Sequence, residues 1–278
     1  MLLSIQLFGA LLIAAVAFSM VMSVATVVER RTGNAGWVDT FWTFGLGGVG
    51  AAAALAPLGP EGWPAARQLL VALLVATWAV RLGSHIAARA RKTGDDPRYA
   101  ALRQQWGRDA ARRMALFLQM QALVSIPMIA TALLAAHRPA PGLGLQDLVG
   151  LALVVAGVAG EGIADRQLRT FRETRAERGR ICDTGLWGWS RHPNYFFEWL
   201  TWVGLAVIAL DVSGEYWIGW LALGGPACMY WLLVHVSGIP PLEEHMEARH
   251  RDAFRAYKAR TSAFFPLPPK TSAVTEPS

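Results

Sequence analysis

The chain has 278 residues, of which 54% are apolar and only 17% charged, and it contains 12 Trp and two Cys. The apolar content excludes a disordered chain, and two cysteines cannot form a disulfide framework. The sequence has no Gly-X-Y period, which excludes a collagen-like protein. The composition therefore predicts a polytopic membrane protein.

Seven apolar runs are long enough to cross a bilayer. They cover residues 2–28, 37–58, 68–88, 114–136, 143–164, 194–210 and 216–236. No basic residue precedes the first run, so we expect a span there and not a cleavable signal peptide. The sequence predicts an all-α integral membrane protein with about seven transmembrane helices, with six or eight as the alternatives.

Lys and Arg are distributed unequally between the two sets of connecting segments. One set holds 23 basic residues and comprises 29–36, 89–113, 165–193 and 237–278. The other set holds only Arg67 and Arg138. The positive-inside rule predicts that the first set and the C-terminus are cytoplasmic and that the N-terminus is outside. Because this imbalance explains the net charge of +6, we expect contact with membrane lipid and no nucleic-acid partner.

Three ionisable residues lie within the early predicted spans. Asp39 is about one turn into the second span, and Arg81 and His85 share a face of the third because they are four residues apart. A charge at the bilayer centre costs about 2.5–3.5 kcal/mol, so each of these residues is expected to have a structural or functional role. One hypothesis is a structural ion pair or an interfacial Asp39. The other is a cavity that receives the polar group of an apolar substrate.

The fifth predicted span ends in charged residues. Glu161 and Asp165 are four residues apart, and a row of arginines at every third position follows: Arg166, Arg169, Arg172, Arg175 and Arg178. Guanidinium groups can bind lipid phosphates or the phosphates of a cofactor at the cytoplasmic mouth. The glycines of 157–162 lie in an apolar span with no preceding strand, so they do not predict a Rossmann loop.

The densest polar segment is 183–198, where the sixth span begins. It combines a glycine turn with these polar residues: Arg191, His192, Asn194, Tyr195 and Glu198. Pro193 favours a helix that begins near Asn194, so Asn194 and Glu198 point the same way. A loop that only anchors a helix does not need all these residue types. The segment therefore predicts a functional site.

This segment resembles the signature of the steroid 5α-reductase superfamily, which includes sterol reductases and bacterial members. The matching strings are Gly185-Leu186-Trp187, Ser190-Arg191-His192-Pro193-Asn194-Tyr195 and Glu198. Residues 94–99, 106–107, 243–245, 254–258 and 260–266 are similar to other parts of the family, whereas the first two spans match loosely through 37–42. Isoprenylcysteine and phospholipid methyltransferases carry a similar Arg-His-Pro-Asn-Tyr string. The length and the seven spans favour the reductases.

The resemblance implies an NADPH-dependent reductase of the bacterial inner membrane, with its cofactor on the cytoplasmic side. Such enzymes reduce the carbon–carbon double bond of an apolar enone, such as a 3-oxo-Δ4 steroid. It implies one membrane reductase domain at 1–266, with a cofactor-binding half at about 143–266 and a disordered tail at 267–278. We expect a monomer without a metal ion, which binds a steroid-like small molecule and membrane lipid.

The resemblance also assigns roles to residues. The cofactor would contact Asp165 at its adenosine end, Arg169 and Arg172 at its phosphates, and Glu244, His245 and Tyr257 on the cytoplasmic side. The nicotinamide pocket would contain Arg191, His192 and Asn194, together with Tyr195 and Glu198, which are also implied to be catalytic.

The carbonyl clamp is where this sequence departs from the animal enzymes. Those enzymes are expected to hold the substrate carbonyl with a glutamic acid and a tyrosine from the early spans, and this sequence has no tyrosine before Tyr99. We therefore expect Asp39 to replace the acid, protonated by burial, and Arg81 or His85 to be the second donor.

A second hypothesis is a membrane methyltransferase that uses S-adenosylmethionine on a lipid or an isoprenylcysteine. That cofactor carries no phosphate, so the arginine row would then contact lipids. A third hypothesis, a transporter or lipid-binding scaffold, does not explain why polar residues concentrate at one cytoplasmic mouth and not at the midplane.

Overall fold

The computed structural model describes residues 2–58, 65–174 and 180–270, and the regular secondary structure in these ranges is helical, without strands. The α-helices are α1 (Leu2–Thr32), α2 (Gly36–Ala54), α3 (Ala66–Thr93), α4 (Pro97–Trp106), α5 (Ala110–Val124), α6 (Ile126–Ala136), α7 (Leu145–Thr174), α8 (Leu186–Trp189), α9 (Pro193–Ala209), α10 (Gly224–Trp231) and α11 (Ile239–Arg260). A 3₁₀ helix (Trp217–Leu223) precedes α10, and a π-helical turn (Leu232–Val236) follows it. The predicted all-α class is confirmed.

Five helical segments of the described chain are long and apolar enough to cross a membrane, as judged by length and composition. They are Leu3–Thr32, Ala66–Lys92, Arg98–Ala136, Leu145–Thr174 and Trp217–Arg260. The predicted runs 37–58 and 194–210 form α2 and α9, which are not among the five. α9 has 17 residues and is about 26 Å long, somewhat less than the roughly 30 Å hydrocarbon core. The seven spans and their orientation stay predictions.

The chain divides into two compact units. The first comprises Met1–Val154 and Trp202–Cys228, and the second comprises Val155–Thr201 and Met229–Ser278. Asp39, Arg81 and His85 belong to the first unit. The residues predicted to bind the cofactor, which run from Asp165 to Tyr257, all belong to the second.

The core of the first unit is built from α1, α2, α3, α5 and α6, with large side chains that are fully buried. Phe18, Met22, Leu46 and Met128 are at most 1% exposed. The Trp78 ring packs edge-on against that of Trp202, with ring centroids 5.0 Å apart. Apolar side chains of α1 such as Phe8 and Ile13 are exposed, as expected for a helix that faces lipid. The first unit thus buries large apolar side chains in its core and leaves other apolar side chains on its outer surface.

The predicted fourth span consists of two helices. α5 ends at Val124 and α6 begins at Ile126, with Ser125 between them. Pro127 in the first turn of α6 has no N–H group, so it cannot complete the hydrogen-bond ladder of a continuous helix. Ser125 lies at the break, and its hydroxyl accepts a hydrogen bond from Trp42 Nε1 at 2.8 Å. The break therefore follows from the proline.

The two basic residues of the predicted external segments are both paired with Asp147 near the start of α7. Arg67 Nε donates to Asp147 Oδ1 at 2.8 Å, and the Arg138 guanidinium donates to Oδ2 at 3.0 Å. The Gly144 backbone N–H donates to the same carboxylate at 2.8 Å. Arg67 also donates to the carbonyl oxygens of residues 138, 140 and 142. Since the Asp147 side chain is fully buried, this cluster ties α3 to the start of α7 through buried charges.

In the second unit α11 is a helical hairpin and not a straight rod. Its backbone leaves the helical region at His250 and Arg251. Lys258 Nζ lies 3.6 Å from Glu243 and 3.3 Å from Glu247, which belong to the preceding limb. In a straight helix, Glu243 and Lys258 would be about 22 Å apart along the axis. The kink therefore brings the two ends of α11 together.

Candidate functional site

The segment that leads into α9 is fixed to α7 within the second unit. Leu186 N donates to Gln167 Oε1 at 3.0 Å, and Trp187 Nε1 donates to the Ala164 carbonyl at 3.0 Å. Gly185 has a φ of +61° and lies against the Gln167 amide, so a Cβ there would be 2.7 Å from that amide. The positive φ favours glycine at this turn, and a Cβ would in addition displace the Gln167 amide. The turn, α8 and the start of α9 therefore have a defined position on α7.

The segment after α11 fixes the same turn from another direction. Ser190 Oγ donates to the Phe264 carbonyl at 2.8 Å, and the Arg191 N–H donates to the Ser262 carbonyl at 2.8 Å. Leu267 N donates to the Trp189 carbonyl at 3.1 Å, although residue 267 was assigned to the predicted tail. Residues 271–278 of that tail lie outside the described residues. The backbone around Ser190 is thus held by hydrogen bonds with residues 262–267.

Tyr257 is buried against this turn and stabilises it by a hydrogen bond. Its side chain is 3% exposed, and its hydroxyl donates to the Trp187 carbonyl at 2.5 Å. The Tyr257 hydroxyl, predicted to contact the cofactor, thus has a protein acceptor. The geometry gives Tyr257 a role in supporting the segment that carries Arg191 and His192.

Arg191, His192 and Glu243 form the most tightly connected polar group of the second unit. Glu243 Oε1 accepts from Arg191 Nε at 2.8 Å and lies 3.0 Å from His192 Nε2. Arg191 also donates to the Thr261 carbonyl at 2.5 Å. Burial lowers the pKa of the His192 imidazole below its usual value, against the opposing effect of Glu243. The ring is therefore neutral at pH 7, and it lies beside the half-buried Arg191 cation and Glu243 anion.

The first turns of α9 carry the other residues of the predicted nicotinamide pocket. Helix α9 begins at Pro193, which confirms the predicted helix start near Asn194. The Tyr195 ring stacks on His192 with centroids 5.5 Å apart and an interplanar angle of 9°. Asn194 is half-buried, and Glu198 one turn later is 5% exposed. The structure therefore brings Arg191, His192 and Tyr195 together and places Glu198 in a buried position on the same helix.

An aromatic cluster lies next to these residues in the second unit. Trp199 and Tyr230 contact Phe264 edge-on with centroid separations of 5.8 and 5.2 Å. Phe196 and Phe265 pack against the same rings. The cluster supplies an apolar wall beside the polar group of Arg191 and His192. A flat apolar molecule with one polar end would find both kinds of surface in this unit.

The predicted adenosine and phosphate residues lie on the last turns of α7. Asp165 is half-buried, and Arg169 and Arg172 are exposed. Arg175 and Arg178 lie outside the described residues. The two described arginines can reach an anionic ligand without first giving up a buried position.

Glu244 and His245 lie on the exposed surface of α11. The carboxylate that reaches His192 is instead that of Glu243, one residue earlier. An open cavity of about 690 Å³ lies between the limbs of α11 and is lined by charges of both signs, including Glu243, Glu247 and Lys258. The residue of α11 that makes this contact with His192 is therefore one that sequence reasoning did not assign to the site.

In the first unit, Asp39 is part of a polar chain that the sequence did not predict. Its Oδ2 accepts from Arg98 at 2.5 Å, and its Oδ1 accepts from the Tyr99 hydroxyl at 2.9 Å. The Tyr99 oxygen in turn accepts from Gln121 Nε2 at 3.2 Å, and the Tyr99 side chain is 4% exposed. Arg81 and His85, the predicted partners of Asp39, are half-buried one turn apart on α3.

The family resemblance included Tyr99, but the predicted topology gave no reason to expect its contact with Asp39. Residues 94–99 resembled a family loop, and a loop was expected to lie outside the spans. In the structure, Tyr99 lies in the first turn of α4, which is followed by α5. Residues 94–96, which connect α3 to α4, contact the start of α2. A tyrosine that follows the third helix can thus contact a carboxylate of the second helix.

The fold defines an all-helical protein with several helices that are apolar enough to span a membrane, consistent with an integral membrane protein. The chain belongs to the family described as "Protein of unknown function (DUF1295)", whose sequence model matches residues 25–261. That family is associated with steroid 5α-reductase-like membrane proteins. No curated protein and no solved structure matches the chain.

Proposed function

We propose that this protein is an NADPH-dependent reductase of the bacterial inner membrane that reduces the carbon–carbon double bond of an apolar enone, in particular a 3-oxo-Δ4 steroid. The observation that carries the proposal is the hydrogen bond between Tyr99 and Asp39. It supplies the pair of an acidic residue and a tyrosine that the family resemblance implies for the substrate carbonyl. The family association supports the same reaction class.

Tyr99 is the donor of this pair. Asp39 accepts from Arg98 and from Tyr99, as an ionised carboxylate does, and a carboxylate has no proton to donate. The Tyr99 hydroxyl can turn from Asp39 to a carbonyl oxygen and stabilise the negative charge that develops there. Its near-complete burial strengthens this interaction because water is excluded. Tyr99 thus takes the role of hydrogen-bond donor to the substrate carbonyl, which was expected of Asp39, Arg81 or His85.

The residues of the second unit fit a phosphorylated dinucleotide. Arg169 and Arg172 present exposed guanidinium groups for phosphates, and Asn194 presents a half-buried amide. His192 Nδ1 is buried and has no hydrogen-bond partner among the residues that the structure describes. When bound, NADPH supplies the hydride for the β-carbon of the enone. Asn194, Tyr195 and Glu198 would orient the nicotinamide, and a protein group or water would protonate the α-carbon.

The first test is cofactor binding by the detergent-purified protein. NADPH, NADH and S-adenosylmethionine are titrated in parallel while the thermal unfolding midpoint is followed, because a ligand that binds only the folded state raises it. We expect stabilisation by NADPH, followed by saturation of the double bond when steroid enones are added. Stabilisation by S-adenosylmethionine alone would contradict the proposal and favour the methyltransferase.

Asn194→Ala is expected to abolish NADPH-dependent turnover while expression and thermal unfolding remain close to wild type. The half-buried amide is well placed to orient the cofactor, and loss of orientation costs about 100-fold or more in rate. The measurement is NADPH oxidation with a steroid enone in purified protein. Thr184→Ala, at an exposed position in the same segment, is the control. Wild-type turnover by the Asn194 variant would contradict the site.

Tyr99→Phe is expected to reduce turnover by about 100- to 1,000-fold, the usual cost of removing one donor to a developing oxyanion. NADPH affinity should not change, because the role proposed for Tyr99 is at the substrate carbonyl and not at the cofactor. Turnover and NADPH titration on the same preparation check this result. Parallel loss of NADPH binding would count against a role at the carbonyl. Phe8→Leu, at an exposed position of α1, controls for handling of the variant proteins.

A further inference from the structure

We infer that Glu243 is a positioning residue that holds His192 as its Nε2–H tautomer, so that Nδ1 becomes a hydrogen-bond acceptor for an N–H or O–H group of the cofactor. This inference rests on the proposed function for the identity of the ligand. Glu243 itself was not among the residues that sequence reasoning assigned to the site.

The first step is the charge state of Glu243. Its Oε1 accepts from Arg191 Nε at 2.8 Å, and Lys258 Nζ lies 3.6 Å from its Oε2. With two cations at these distances, the carboxyl group is ionised and can only accept hydrogen bonds. His192 Nε2, 3.0 Å from Oε1, must therefore be the donor.

The second step is the state of the other ring nitrogen. Because the ring is neutral and Nε2 carries the proton, Nδ1 has a free lone pair. Nδ1 is buried, and none of the described residues donates to it. The whole residue is 4% exposed, so bulk solvent does not satisfy this acceptor either. A buried acceptor without a partner is unfavourable and calls for a ligand or a bound water.

The third step is the orientation of the ring. The His192 backbone N–H donates to Ser190 Oγ at 3.1 Å, and the ring is stacked on Tyr195. With Glu243 fixing one ring nitrogen, the direction of the Nδ1 lone pair is also fixed. A ligand group that contacts Nδ1 must therefore donate a hydrogen bond to it.

This requirement identifies the part of the cofactor that is recognised. Phosphate oxygens are acceptors when ionised, so they cannot pair with Nδ1. The carboxamide N–H, the adenine amine and the ribose hydroxyls are donors and can. His192 therefore contacts a nucleoside part of the dinucleotide, and the phosphates are left to the arginines.

The first experiment compares NADPH affinity in two variants of α11. Glu243→Gln removes the charge that selects the tautomer, and we expect its dissociation constant for NADPH to rise about tenfold. Glu247→Gln is the matched control, because Glu247 lies one turn later and also contacts Lys258 but does not contact His192. Its dissociation constant should stay within about twofold of wild type. Equal NADPH affinity of the Glu243 variant and the wild type would overturn the inference.

The second experiment needs no variant. His192 is the one histidine in the sequence that is followed by proline, so labelled His and ¹⁵N-labelled Pro identify its signals by NMR. We expect a protonated Nε2 and an unprotonated Nδ1 without ligand, and a shift of the Nδ1 resonance on addition of NADPH. The opposite tautomer, or an unchanged Nδ1 resonance with NADPH bound, overturns the inference while the reductase proposal stands. If the wild-type protein does not bind NADPH, both this inference and the reductase proposal are contradicted.

Discussion

Asp147→Ala is expected to lower the free energy of unfolding by about 3–5 kcal/mol, the range found when one partner of a buried ion pair is removed. The variant would leave Arg67 and Arg138 next to each other without their shared anion. The Arg67 side chain is 5% exposed and that of Arg138 is 11% exposed, so solvent cannot replace Asp147. The Gly144 N–H would also lose its acceptor.

Thermal or denaturant-induced unfolding in detergent measures this effect. The control is Asp252→Ala, since the Asp252 side chain is 97% exposed and its ion pair with Arg255 is a surface contact. Exposed pairs of this kind contribute about 0–1 kcal/mol. If both variants unfolded at the same midpoint, the Asp147 cluster would not be the stabilising feature that its geometry indicates.

Gly157→Ala is expected to destabilise the protein by about 1–3 kcal/mol, although alanine is the better helix former. A Cβ at Gly157 would lie 2.8 Å from the Phe197 carbonyl oxygen and 2.8 Å from Thr201 N. Both are backbone atoms of α9, so α7 and α9 would have to separate. Small residues allow membrane helices to approach this closely.

The control for Gly157 lies in α2. A Cβ at Gly48 has no atom within 4 Å, so Gly48→Ala gains helix propensity at no steric cost. We expect it to stabilise the protein by up to about 1 kcal/mol. Both variants replace glycine by alanine, but Gly157→Ala is expected to lower the free energy of unfolding and Gly48→Ala to raise it. A rise in the unfolding midpoint for Gly157→Ala would mean that α7 and α9 are not packed as described.

Much of the helical framework could be predicted from the sequence. Each of the seven apolar runs contains helix in the structure, because a largely apolar run of this length has few other stable forms in a bilayer. Pro193 located the start of α9, because its ring is compatible with the first turn of a helix only. The glycines of 157–162 lie within α7, and the closeness of Gly157 and Gly160 to α9 supplies the reason for glycine there.

The partners within the candidate site could not be predicted in the same way. Glu243 and Glu244 are adjacent, and only the hairpin of α11 determines that Glu243 reaches His192 and Lys258. Helical periodicity assumes a straight axis, so it carries no information about a kink at His250 and Arg251. Tyr99 was missed for a related reason, since contacts between distant residues depend on how connections return the chain.

The hydrogen bonds from residues 262–267 to the Ser190 turn also bear on biosynthesis. During translation, Trp189, Ser190 and Arg191 leave the ribosome long before Ser262, Phe264 and Leu267, their hydrogen-bond partners. Until those residues emerge, the turn lacks the acceptors and donors that define its shape. The second unit can therefore mature only after residues 262–267 have been synthesised, and a chain released before them would insert its helices without assembling the motif.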